Sequence, residues 1–194
     1  MAPLTSPVDG PIDFPVAAIN GEGRELGRLN LDLRDDQAAA KQVAAFIKQH
    51  RPPQQNAKAG YEAALAEAKR SNRAVWVRVS QTRCAPCFSL SRWLDSQREL
   101  LAKDYVLFKF DNVRDLNGHE LGVSLKFDTH GVPCHAILDS AGKELINSIG
   151  PLGNIGDPSG DFEGTEHLRK MLKSTARNLT NDDIDSLLRS LPAE

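Results

Sequence analysis

Apolar residues recur along the chain in two rhythms, and the alternation between them outlines an α/β protein. Val75-Trp76-Val77-Arg78-Val79 is a β-branched run, and Tyr105 to Phe110 alternates before stopping at Asp111. Both have the length and composition of strands. Pro133 to Leu138 reads as a third strand, and Ser140-Ala141-Gly142 is the turn into its hairpin partner, Lys143 to Ile149. Between these runs the period lengthens. Tyr61, Leu65 and Ala68 fall at i, i+4 and i+7 of a helix over about 57–71, and Leu90, Trp93, Leu94 and Leu101 form the stripe of one over 88–101. Shorter helical patterns cover 118–127 and 165–178. Thr180, with Asp183 in the capping-box position, opens a last helix over 181–190.

The ends differ in character. Residues 1–14 carry Pro3, Pro7, Gly10 and Pro11 and read as an irregular lead-in. Val16 to Ile19 and Arg24 to Leu29 flank a Gly-rich turn at 20–23, the pattern of a hairpin. Asp35-Asp36 then opens a helix to about His50, with Val43, Phe46 and Ile47 on one face, and Arg51-Pro52-Pro53 stops it. Residues 150–164 are Gly- and Pro-rich and read as a loop. From residue 57 the order is helix, strand, helix, strand, helix, strand, strand, helix. A parallel βαβ unit followed by a hairpin predicts a mixed central sheet with helices on both faces. The expected organisation is an accessory hairpin and helix at 1–56 packed on the main sheet, a central domain at 57–178 and a helical extension at 179–194.

Composition removes several function classes. The 194 residues carry a net charge of -2, without the basic footprint of a nucleic-acid-binding protein. No apolar run approaches the ~18 residues of a membrane span, and the N-terminus lacks the basic start and apolar stretch of a signal peptide. Three cysteines are too few for a disulfide scaffold.

The chemistry lies in Cys84-Ala85-Pro86-Cys87, at the junction between the Val75–Val79 strand and the following helix. The first four N–H groups of a helix have no intrahelical partner, and the macrodipole adds positive potential there. That field favours a thiolate, so Cys84 is the candidate attacking sulfur and Cys87, one turn in, the resolving one. Zinc ribbons share the spacing, but zinc wants a second cysteine pair or two suitably spaced histidines, which this chain does not supply.

This order of elements, with Cys-x-x-Cys after the first strand and Gly131-Val132-Pro133 opening the third, resembles the thioredoxin fold over residues 57 to about 178. Within that superfamily the chain is similar to bacterial proteins related to the C-terminal domain of the DsbD reductase. The similar segments are Ala64 to Arg70, Tyr105 to Asp111 and Ile137 to Leu145. The resemblance implies a thiol–disulfide oxidoreductase, disulfide isomerases included, with no organic cofactor and no metal. It implies protein or peptide thiols and disulfides as substrates, an upstream redox partner and a location outside the cytoplasm. It also implies that Pro133 is cis and faces the cysteine pair, exposing the backbone of Val132 to an extended substrate segment by strand addition, beside Ala85 and Pro86.

The chain departs from the family pattern at four positions. Arg83 stands where thioredoxins have Trp, Phe88 where they have Lys, and Cys134 where they have Thr. Arg78 stands at the position of their buried Asp, and is expected to point to the opposite face or to solvent. Arg83 is a candidate modulator of the Cys84 thiolate, and Cys134 is either a third redox thiol or a small buried hydrophobe. Together the changes predict a couple more oxidising than the roughly −270 mV of thioredoxin. Two rival readings remain. One is a copper- or zinc-handling module in which His130 or His135 joins the thiols; the other is a non-catalytic interaction module. His119 and His167 read as surface positions.

Overall fold

The computed structural model describes residues 13–19, 24–51 and 54–192; most of the expected lead-in, the turn at 20–23 and the Pro52-Pro53 stop lie outside the described residues. The chain divides into two compact units, 1–53 and 54–194.

In the first unit, β1 (Asp13–Ile19) pairs antiparallel with β2 (Glu25–Asp32), with a register slip at Ala18/Ile19. The Asp35 carboxylate then caps α1 (Asp36–His50) by accepting the N–H groups of Gln37 and Ala38. A Cβ at Gly27 would fall 2.5 Å from the tip of the His50 ring, which packs on the bare backbone of β2 there.

The second unit runs α2 (Ala57–Ser71), β3 (Ala74–Ser80), α3 (Ala85–Ser96), α4 (Arg98–Leu101), β4 (Tyr105–Asp111) and α5 (Gly118–Ser124). It continues through β5 (Cys134–Leu138), β6 (Glu144–Asn147), β7 (Ile149–Gly150), β8 (Gly153–Asn154), α6 (Phe162–Thr175) and α7 (Asn181–Arg189). The central sheet has the order β4-β3-β5-β6, with β3 parallel to β4 and antiparallel to β5. This is the mixed sheet flanked by helices that the sequence predicts.

Both faces of β3 are covered, so Val75 to Val79 are all buried and the strand reads as a continuous apolar run broken only by Arg78. Val75, Val77 and Val79 pack with Ala64 and Ala68 of α2 and Leu121 of α5. Trp76 faces the other way, into Leu90, Trp93 and Leu94 of α3, Met171 and Leu172 of α6, and Leu187 of α7.

α7 is therefore part of the core of this unit. Its entry is fixed by a buried carboxylate: Asp104 accepts the N–H groups of Asn178 at 3.0 Å and Leu179 at 2.8 Å, and the Asn178 side-chain amide at 2.9 Å. The Thr180–Asp183 capping box starts the helix, and the Trp93 indole donates to Ser190 Oγ at its end, 2.9 Å away.

Several boundaries differ from the sequence reading, three of them for reasons visible in the contacts. The helix expected over 88–101 breaks at Gln97, where Ser96 Oγ bonds back to the Trp93 carbonyl at 2.7 Å and bends the ladder. The partner strand of β5 ends at Asn147, and the residues after Ser148 form their own small β7–β8 hairpin. α6 starts at Phe162 rather than Thr165, because the Asp161 carboxylate caps it through the N–H groups of Glu163 and Gly164.

Asp104→Ala should strand the buried donors of Asn178 and Leu179 and cost about 2–3 kcal/mol. Leu187→Ala, an ordinary core truncation, should cost about 2–5 kcal/mol. Urea unfolding followed by tryptophan fluorescence measures both. A loss below about 1 kcal/mol for Asp104→Ala would mean that α7 is held by apolar contact alone.

Candidate functional site

β3 delivers the chain to the start of α3 through Gln81, Thr82 and Arg83. Arg83 has φ +66°, a left-handed conformation that costs a non-glycine residue about 1 kcal/mol. It turns the chain so that Cys84, extended at φ −98° and ψ 98°, becomes the N-cap of α3. Cys84 Sγ accepts the N–H of Cys87 at 3.2 Å. Ala85 and Pro86 fill the first turn, where the missing proline N–H has no intrahelical partner to lose.

The two sulfurs are joined, with S–S 2.02 Å and Cα–Cα 5.2 Å. They are unequal in access. Cys84 is half-buried, whereas Cys87 is 3% exposed, so a nucleophile arriving from solvent meets Cys84. Ala85, Pro86 and Phe88 are exposed around it, Phe88 at 59%, and give the sulfur an apolar rim. Arg83 is exposed beside it.

The opposite wall is the segment before β5. The Val132–Pro133 peptide is cis, and the Val132 carbonyl oxygen lies 3.7 Å from Cys84 Sγ. In the disulfide this sulfur carries no proton, so the approach is a contact rather than a hydrogen bond. Among the described residues neither the N–H nor the C=O of Val132 has a backbone partner.

This wall is braced from behind. The Asn154 side-chain amide donates to the Pro133 carbonyl at 2.9 Å and to the His130 carbonyl at 3.0 Å. Ser148 Oγ donates to Asn154 Oδ1 at 2.7 Å while accepting the His135 N–H at 3.0 Å. Gly156 sits against Pro133 with φ +54°, where a side chain would be strained.

His135 links the wall to the sheet. An indole N–H can only donate, so the 3.2 Å bond from Trp76 Nε1 makes His135 Nδ1 an acceptor. Nε2 therefore carries the proton and donates to the Gly156 carbonyl at 3.1 Å. Burial pushes the pKa of this neutral ring down to about 4, and the positive charge of Arg78 adds to the effect.

Arg78 is not where the sequence reading put it. It alternates with the valines, shares the α3 face with Trp76, and is only 6% exposed. Its Nε and Nη1 have no hydrogen-bond partner. Burial lowers its pKa to about 10, which still leaves it charged at neutral pH.

Cys134, 1% exposed, packs in the cluster on the α2 side of the sheet, with Ser148 Oγ 3.5 Å from its sulfur, and burial pushes its thiol up. His130 and His119 are exposed. His167, expected at the surface, is buried and bonds through Nε2 to the Asn147 carbonyl at 2.9 Å. No group of three or more metal-ligating side chains occurs among the described residues. Asn154, Ser148 and Gly156 escaped the sequence reading, because Gly- and Asn-rich segments have no periodicity that marks a bracing role.

Residues 56–140 match a family model described as thioredoxin-like. No curated protein matches the sequence. Similar solved structures include a disulphide isomerase from Xylella fastidiosa Temecula1, with a TM-score of 0.45 and 20% identity over 71% of this chain and 92% of that one. A mutant thioredoxin from Halobacterium salinarum NRC-1 aligns with a TM-score of 0.38 and 15% identity over 56% of this chain and 80% of that one. The first two thioredoxin domains of Saccharomyces cerevisiae Eps1p align at 0.40 and 9% identity, covering 69% and 44% respectively.

His135 makes stability depend on pH. The unfolded ring titrates near 6.5 and the folded ring near 4, so between those values the unfolded chain binds the extra proton. The His135 contribution is complete above about pH 6.5 and is lost as pH falls towards 4, amounting to about 3 kcal/mol. Urea unfolding at pH 7.5, 6, 5 and 4 should show this slope in the parent protein and a shallower one in His135→Phe. Parallel slopes would remove His135 as the titrating group.

Proposed function

Because residues 56–140 are thioredoxin-like, we propose that the protein is a thiol–disulfide oxidoreductase that exchanges disulfides with protein or peptide partners through Cys84 and Cys87. The observation that carries this reading is the placement of an accessible sulfur at the N-cap of α3, 3.7 Å from the carbonyl of Val132. A thiolate formed at Cys84 is stabilised by the Cys87 N–H and the helix dipole.

In the oxidising direction a partner thiolate attacks Cys84 Sγ, the Cys84–Cys87 bond breaks, and Cys87 leaves as a thiolate that takes up a proton. The partner's second thiolate then attacks its own sulfur in the mixed disulfide and expels Cys84. Two electrons pass from the partner's dithiol to the cysteine pair. In the reducing direction the same steps run backwards, with Cys84 as attacking thiolate and Cys87 resolving the mixed disulfide. The unpaired N–H and C=O of Val132 suit an extended partner segment, and Ala85, Pro86 and Pro133 line its path. The metal-handling reading loses one of its two histidines, since both ring nitrogens of His135 are engaged.

Insulin reduction driven by dithiothreitol tests the proposal. The parent protein should accelerate precipitation, while Cys84→Ser and Cys87→Ser fall to the uncatalysed rate. Cys87→Ser should also accumulate mixed disulfides through Cys84. Equal rates for parent and both variants would leave a non-catalytic binding module.

A further inference from the structure

The chain opposite Cys84 has little of its own to hold it. Neither Gly131 nor Val132 enters a backbone hydrogen bond among the described residues. A Cβ at Gly131, which has φ +75°, would meet nothing within 4 Å, so nothing packs around that turn. Just before it, the bond from the His130 N–H to the Phe127 carbonyl is long, at 3.5 Å. One side chain supplies the missing restraint. Asn154 Nδ2 donates to the His130 carbonyl at 3.0 Å and to the Pro133 carbonyl at 2.9 Å, the two carbonyls that bracket residues 131–133. Its Oδ1 accepts from Ser148 Oγ at 2.7 Å and from the Gly156 N–H at 3.2 Å. A carbonyl can only accept and a backbone N–H can only donate, so the amide has one possible orientation, with two donors and two lone pairs all in use. Asn154 is itself anchored, since it pairs with Ile149 across the β7–β8 hairpin and the Ile155 N–H donates to the Ser148 carbonyl at 2.8 Å.

We propose that Asn154 is a positioning residue for protein and peptide disulfides, clamping both ends of the 131–133 segment so that Val132 holds out its N–H and C=O to an extended partner chain beside Cys84. The inference rests on the exchange reaction above and adds no covalent step to it. Strand addition needs a docking edge already in place, because every residue that must be ordered on binding lowers the affinity. Gly131 has the most backbone freedom to lose. With the amide bonded to both carbonyls, that ordering is complete before the partner arrives. A small disulfide reaches Cys84 without laying a strand along Val132, so it gains nothing from the clamp. Asn154 acts through Val132 rather than on the sulfurs, and it sets the preference for polypeptide disulfides over small ones.

The test follows mixed-disulfide formation by Cys84 in Cys87→Ser, with insulin or hydroxyethyl disulfide in excess, as a mass shift over time. This single step forms one S–S bond, breaks another and releases one thiolate, so its rate does not depend on the potential of the cysteine pair. With Asn154 intact, insulin should react faster per disulfide than hydroxyethyl disulfide. Adding Asn154→Leu, which keeps the shape but neither donates nor accepts, should lower the ratio of the two rates by about 10–100-fold. Asn154→Asp keeps the acceptor for Ser148 and Gly156 but turns a second oxygen on the two carbonyls, and should lower the ratio at least as far. Equal losses on both disulfides, or no loss, overturn the proposal, since a residue that only supports the fold would slow both alike. The absence of any preference for insulin with Asn154 intact overturns it too, whether or not the variants fold. Reaction with neither disulfide while Asn154 is intact would reject the exchange reaction itself, together with the inference that rests on it.

Discussion

The hydrogen bond from the Trp76 indole to the His135 ring is the contact on which the site depends. Trp76 sits between Trp93 and Tyr105, with ring centroids at 6.4 and 5.6 Å, and so fixes how α3 lies on β3. Through its N–H it also sets the tautomer of His135, whose other nitrogen holds the Gly156 carbonyl. One buried chain of two hydrogen bonds thus links the strand under α3, the strand after Pro133 and the segment that backs Pro133. The chain works only while His135 is uncharged, because a protonated Nδ1 would present a hydrogen to a donor. Burial enforces that condition.

The bracing behind Pro133 follows the same economy. A single amide, Asn154 Nδ2, satisfies two carbonyls, and a single hydroxyl, Ser148 Oγ, links Asn154 to the backbone of β5. Carbonyls this close to a buried strand need partners. Because a side chain supplies them here rather than a strand, the backbone of Val132 stays free beside Cys84 instead of being consumed in the sheet.

How legible each part was in the sequence follows from the range of the forces involved. Period-2 and period-3.6 patterns are local, so β3, β4 and β5, helix α2 and the capped start of α7 were readable from neighbouring residues. The cysteine pair at a strand-to-helix junction was readable for the same reason. Arg78 was misread because alternation assigns a residue to a face but does not say whether that face is covered; β3 is central and covered twice. Ser148, Asn154 and Gly156 were invisible, since their roles depend on contacts with residues 13 to 24 positions away that no local pattern encodes. His167 fell to the same blindness, its partner being a carbonyl of the neighbouring strand segment.

Charge placement sets the electrostatic surroundings of the cysteine pair. The groups buried beneath α3 are a neutral imidazole and a cation, with no buried carboxylate facing them among the described residues. A carboxylate there could take up a proton; a guanidinium that stays charged at neutral pH cannot. The desolvation of Arg78 is offset in part by the attraction of Asp95, on the exposed side of α3. Arg83, exposed beside Cys84, and the helix N-terminus add positive potential from the solvent side. The Cys87 N–H and the dipole of α3 both favour negative charge at Cys84.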